Sequence, residues 1–142
     1  MNTRFLIIGA ILGLLGVLGG TFGAHGLRPS LSNDQQATAE QRIDLLEKKQ
    51  ELAERWEVAV RYQMYHAAAL VAIGLSAMKA TKLVNIAGWC FVVGVAIFSG
   101  TLYALTLTGQ RWLGAITPIG GVCLIVGWVM LACAGSRRNI EA

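Results

Sequence analysis

The stretch RFLIIGAILGLLGVLGGTFGAHGLR, residues 4–28, sets 23 residues between two arginines, and only His25 among them can ionise. A bilayer core about 30 Å thick is crossed by about 20 apolar residues at 1.5 Å each, so this run can hold one spanning helix. Three more gaps of the same kind follow: 17 residues between Arg61 and Lys79, 28 between Lys82 and Arg111, and 25 between Arg111 and Arg137. Of the 142 residues 55% are hydrophobic and 14% charged, against about 25% charged in soluble domains. Mean hydropathy is +0.57. Four spans leave no residues for a soluble core. The expected class is therefore an all-α integral membrane protein with one membrane domain over residues 1–142. It should be a four-transmembrane-helix bundle with spans near 5–26, 59–78, 83–108 and 113–135. A cleavable signal peptide would also join an arginine, an apolar run and small residues, but this run is long for one.

Within the first span Gly9, Gly13, Gly16, Gly20 and Gly23 recur at intervals of 4, 3, 4 and 3. Seven residues make nearly two turns, so these glycines form one bare stripe. Helices in lipid associate by close packing, and a bare stripe admits a neighbouring backbone. The five glycines are expected to form a helix-packing surface.

Between the first two spans lies the one long extramembrane stretch, residues 29–58. Ser32 to Gln35 fits a capping box, in which the serine caps a helix start and the glutamine reaches back to its amide. Acid-first pairs at i,i+4 follow: Asp44–Lys48, Glu51–Arg55 and Glu57–Arg61. Leu45, Leu52, Ala53, Trp56, Ala59 and Val60 fall in one sector of a helical wheel. An amphipathic helix is expected over about 33–58. No proline or glycine separates it from the second span, so it should continue into that span.

Four spans bring the end of span one, the start of span two, the end of span three and the start of span four into one leaflet. His25, Arg61, Gln63, His66, Ser99, Tyr103, Thr106 and Thr117 all fall there. Polar side chains at membrane depth are costly unless they pair or meet water, so they are expected to converge in a one-sided polar pocket. Each histidine also has a local reading, reaching headgroup water or capping a backbone; proton handling is another. Two histidines without accompanying Cys, Asp or Glu make a weak case for haem or metal, and no cofactor is expected. Tyr62, Tyr65, Trp89, Trp112 and Trp128 fit interfacial anchors. Thr117 before Pro118 suits a helix cap with proline at the first helical position, or else a kink.

No Asp or Glu lies inside any span, and no nucleophile sits with a base, so no catalytic residue is assigned and an enzyme is the least supported class. Cys90, Cys123 and Cys133 are an odd number without metal or redox spacing and read as small packing residues. The net charge of +4 comes from residues flanking the spans, with no basic patch for nucleic acid.

GTFGAHGL, RYQMYHAAAL, FSGTLYAL and WLGAITPIGG, in that order, resemble the small membrane-protein family catalogued as domain of unknown function 423. That family includes YgdD- and YwdK-type bacterial proteins and the eukaryotic transmembrane protein 256. The resemblance covers residues 3–136 and implies a compact helical membrane protein, placed in the bacterial inner membrane, without an assigned activity. The stretch between Arg28 and Arg61 looks longer than the family's usual polar link, so the charged helix is expected to be peculiar to this chain. Arg4, Lys79, Lys82, Arg137 and Arg138 lie on one side of the bundle and Arg28, Arg42, Lys48, Lys49, Arg55, Arg61 and Arg111 on the other; six of those seven lie in or beside the acid-rich helix, and both termini are expected to be cytoplasmic. The expected role is accessory or structural, with the lipid bilayer and either itself or another membrane protein as partners. The alternative is a carrier or channel for a small solute, proton or lipid, using the pocket near His25 and His66.

Overall fold

The computed structural model describes the backbone of residues 2–26, 38–76 and 81–140, and their side chains except those of 24–26 and 137–140. Four helices follow in order: α1 (Thr3–Gly26), α2 (Ala39–Leu75), α3 (Lys82–Thr108) and α4 (Leu113–Ile140). Among the described residues there is no strand. Helices α1, α3 and α4 are each long and apolar enough to cross a membrane unaided. The apolar part of α2 carries Arg61, Gln63 and His66 and reaches the same level by packing between α1 and α3. Packing runs along the chain, α1 on α2, α2 on α3, and α3 on α4.

The longest element, α2, is one unbroken helix of 37 residues, so extension and second span form a single rod. Its start differs from the expected one. The capping box is built by Thr38 and Gln41: the Thr38 hydroxyl accepts from the Gln41 N–H at 3.4 Å, and the Gln41 side chain accepts from the Thr38 N–H at 3.0 Å. T-A-E-Q satisfies the same S/T-x-x-E/Q pattern as S-N-D-Q. Ser32 to Gln35 lies outside the described residues. The three acid-first pairs form: Lys48 on Asp44 at 2.8 Å, Arg55 on Glu51, and Arg61 on Glu57. All are solvent-exposed and contribute about 0.3–0.5 kcal/mol each.

Glycines set how closely the helices approach. A Cβ at Gly9 would lie 2.8 Å from the Ala67 carbonyl oxygen, at Gly16 2.5 Å from Met64 Sδ, and at Gly23 2.4 Å from the Trp56 ring. These three positions, seven residues apart, carry the α1–α2 contact. Gly20 has only ordinary contact with Val60, and Gly13 has no neighbour within 4 Å. The stripe is thus narrower than the sequence spacing implies, because a crossing helix meets the same face only once in two turns. The α3–α4 seam repeats the device from the other side. A Cβ at Gly120 would lie 2.4 Å from the Phe98 nitrogen, and one at Gly127 2.6 Å from the Phe91 ring.

The ends of the bundle follow from local chemistry. At one end the Asn2 N–H bonds to Gly74 O at 3.1 Å and the Asn2 side chain to Asn85 at 3.3 Å, which gathers the start of α1, the end of α2 and the start of α3. At the other end Gly109 closes α3 in the left-handed region at φ 68°, its N–H returning to Leu105 O at 2.9 Å. Helix α4 begins with three i→i−3 bonds from the N–H groups of Leu113, Gly114 and Ala115. Pro118 lies inside α4, so Thr117 is not its cap. Proline there has no N–H to give the helix, and the tight first turn lies just before it.

Candidate functional site

The polar residues of the membrane half do not share one pocket. They divide into an open seam between α1, α2 and α3 and a closed knot between α2, α3 and α4.

The open seam centres on Gln63, which is 5% exposed. Its Nε2 donates to the Leu12 carbonyl of α1 at 2.8 Å, and its Oε1 accepts from the Tyr103 hydroxyl of α3 at 2.9 Å. The Leu12 carbonyl needs a donor and the phenol an acceptor, which together fix the orientation of the amide. Two turns away, Trp56 Nε1 donates to Gly19 O at 2.7 Å, and its ring lies 4.6 Å from Tyr103 and 5.3 Å from Phe22. Ser99, fully buried, donates to Ala59 O at 2.8 Å. Gly23 and Gly16 leave room for Trp56 and Met64, so the glycine face of α1 and this seam are parts of one construction.

A groove of about 390 Å³ lies along this seam. Leu12, Leu15 and Gly19 form its α1 wall, Trp56 and Gln63 its floor, and Val95, Ala96, Ser99, Gly100 and Tyr103 its α3 wall. It exists because α1 and α3 both lean on α2. Near the bundle's other end Phe5 packs where a Cβ of Gly88 would stand, joining α1 to α3.

The closed knot centres on His66, 4% exposed. Trp128 Nε1 lies 3.1 Å from His66 Nε2, and His66 Nδ1 lies 2.7 Å from Tyr62 O. An indole nitrogen only donates, so Nε2 accepts and the ring proton sits on Nδ1, donating to the carbonyl. This assigns one neutral tautomer with both nitrogens satisfied. Phe91 closes the knot, 5.3 Å from His66 and 5.0 Å from Trp128 by ring centres. Gly127 lets Phe91 in. Trp128 is therefore an interhelical donor as well as a large side chain at the lipid face.

The other expected pocket members lie elsewhere. Arg61 projects outward and pairs with Glu57, because its position on α2 faces away from both neighbours. Thr106 is buried but returns its hydroxyl to Leu102 O in its own helix at 2.8 Å. Thr117 faces α3, 2.8 Å from the Thr101 hydroxyl. His25 falls in the last turn of α1, and its side chain lies outside the described residues. Gln63 and His66, expected on one face, are three residues and so about 60° apart, enough to aim them into different seams. The reading from sequence did not single out Trp56, Trp128 or Gly127 as site residues. The seven-residue step from Gly120 to Gly127, matching that from Gly9 to Gly16, was the available signal.

Among the described residues no buried side-chain nitrogen or oxygen lacks a hydrogen-bond partner. No three His, Cys, Asp or Glu side chains among them converge as metal ligands would. The chemistry here is helix joining: indole, amide, phenol and hydroxyl groups tie each helix to a neighbour. Interhelical bonds in membranes are worth about 0.6 kcal/mol on average, reaching about 1.7. The set therefore contributes a few kcal/mol while fixing helix register.

Fold and seams define a small helical membrane protein whose buried polar groups bind its own helices together. The chain belongs to the family described as "Protein of unknown function (DUF423)", whose model matches residues 19–121. It is 44% identical to a UPF0382 membrane protein of Staphylococcus haemolyticus over 127 residues, 89% of this chain and 90% of that one. It is 38% identical to the UPF0382 membrane protein YwdK of Bacillus subtilis over 135 residues, 94% and 96% of the two chains. No solved structure matches the chain.

Proposed function

We propose that this protein is an accessory membrane protein of the bacterial inner membrane, with both termini cytoplasmic, that binds itself or another membrane protein through helix packing. The observation that carries this reading is the rod α2. Its bundled ridge, Ala59, His66 and Ile73, continues outward at the same seven-residue step as Leu52 and Leu45, where Leu52 is half-buried and Leu45 exposed. Residues 39–55 extend the rod by about 25 Å at 1.5 Å each. An apolar ridge held rigidly past the bundle, flanked by ion pairs, has the form of a helix-docking surface.

The test is the mass of the detergent-solubilised complex for the parent and for Leu45→Glu with Leu52→Glu. The reading expects a self-associated or stoichiometric hetero-complex that the double variant disperses without lowering the melting temperature. A monomeric parent that conducts protons or solutes in proteoliposomes would instead support the carrier.

A further inference from the structure

The groove of the open seam has a ligand chemistry of its own, independent of any accessory role. Its walls are mostly apolar and, among the described residues, no charged side chain lines it. An ionised headgroup or carboxylate placed there would be a buried charge without a partner. At about 390 Å³ the groove is within the range of small-ligand sites.

The floor supplies the specificity. Gln63 has two amide N–H groups, and one is used on Leu12 O. The second has no partner among the described residues. Tyr103 and Ser99 donate their only protons to Gln63 Oε1 and Ala59 O, so their oxygens remain as acceptors. An N–H donor between apolar walls, beside the Trp56 and Tyr103 rings, is complementary to a carbonyl carried on a hydrocarbon tail.

We propose that this groove binds an uncharged, carbonyl-bearing lipid, its tail along the walls and its carbonyl on the Gln63 amide. Two membrane-soluble sources share that chemistry, a tailed quinone and a diacylglycerol.

The test uses the full chain in dodecyl maltoside, which has no carbonyl, with four probes: a decyl-tailed benzoquinone, dioctanoylglycerol, decylbenzene and decanoate. Saturable binding, read by thermal shift and tryptophan fluorescence, is expected for one or both neutral carbonyl probes, at least tenfold tighter than for decylbenzene or decanoate. The probe that binds names the source. Gly100→Leu fills the groove from a position with no neighbour within 4 Å, so the ligand-free melting temperature should hold while binding falls at least tenfold. Ala96→Leu, on the same exposed wall, repeats the block should Gly100→Leu fail to fold. The proposal is overturned if neither carbonyl probe saturates, if decylbenzene or decanoate binds equally well, or if a folded blocked variant binds as the parent does.

Discussion

Gln63 and His66 sit three residues apart on one helix, yet their surroundings differ in kind. Gln63 faces a seam where α1 and α3 approach α2 without closing on each other, and its amide keeps a free N–H beside a groove. His66 faces a seam that three aromatic rings close, and neither of its nitrogens has capacity to spare. Similar polar residues at similar depth are thus a recognition surface in one seam and a fastening in the other. The difference comes from what the neighbours bring. On α4, Gly127 admits Phe91 and Trp128 supplies a donor, whereas small residues on α3, Ala96 and Gly100, leave the groove empty of side chains.

The contrast predicts unequal consequences. The largest effect is expected in the closed knot. His66→Ala removes a ring packed against Phe91 and Trp128 and leaves the indole N–H unpaired, a loss of about 3 kcal/mol. Tyr103→Phe in the open seam removes one hydroxyl bond and should cost only about 0.6 kcal/mol. Unfolding titration in mixed micelles measures both. Equal losses would erase the distinction between the seams.

Next in size is the glycine face that the open seam shares. Gly9→Ala forces a Cβ against the Ala67 carbonyl and Val71 and should cost about 1–3 kcal/mol. Gly13→Ala meets nothing and should be neutral, or stabilising by up to about 1 kcal/mol through helix propensity. A melting temperature lowered equally by the two would mean that the whole stripe packs. The smallest effect belongs to the projecting rod. Asp44→Asn breaks an exposed pair with Lys48 and should cost at most about 0.5 kcal/mol, and less at high salt.

How much of this was legible in the sequence varies with the physics behind each feature. Charges bracket the apolar runs because ions are excluded from hydrocarbon, so helix extents could be read to within a few residues. The i,i+4 pairs and the continuous rod were equally open, being local. The capping box was not, since Ser32–Gln35 and Thr38–Gln41 both fit the pattern, and the described start of α2 is at the second. Five glycines in phase identified the face of α1. Which of them touch α2 depends on the crossing, and Gly13 falls outside it. Gathering the polar residues into one leaflet was straightforward, but dividing them between two seams was not. A 60° difference between Gln63 and His66 decides their neighbours, and counting spans carries no azimuth. Arg61 looked like a pocket member by position alone, though Glu57 one turn earlier already offered it a partner on the outer face.

The most direct test of the two-seam account is the ¹⁵N spectrum of His66 in the membrane-reconstituted protein. The account predicts a protonated Nδ1 and an unprotonated, hydrogen-bond-accepting Nε2, with the Nε2 signal shifting when Trp128→Phe removes its donor. A proton on Nε2, or a spectrum indifferent to Trp128, would show that the closed seam is not held as described.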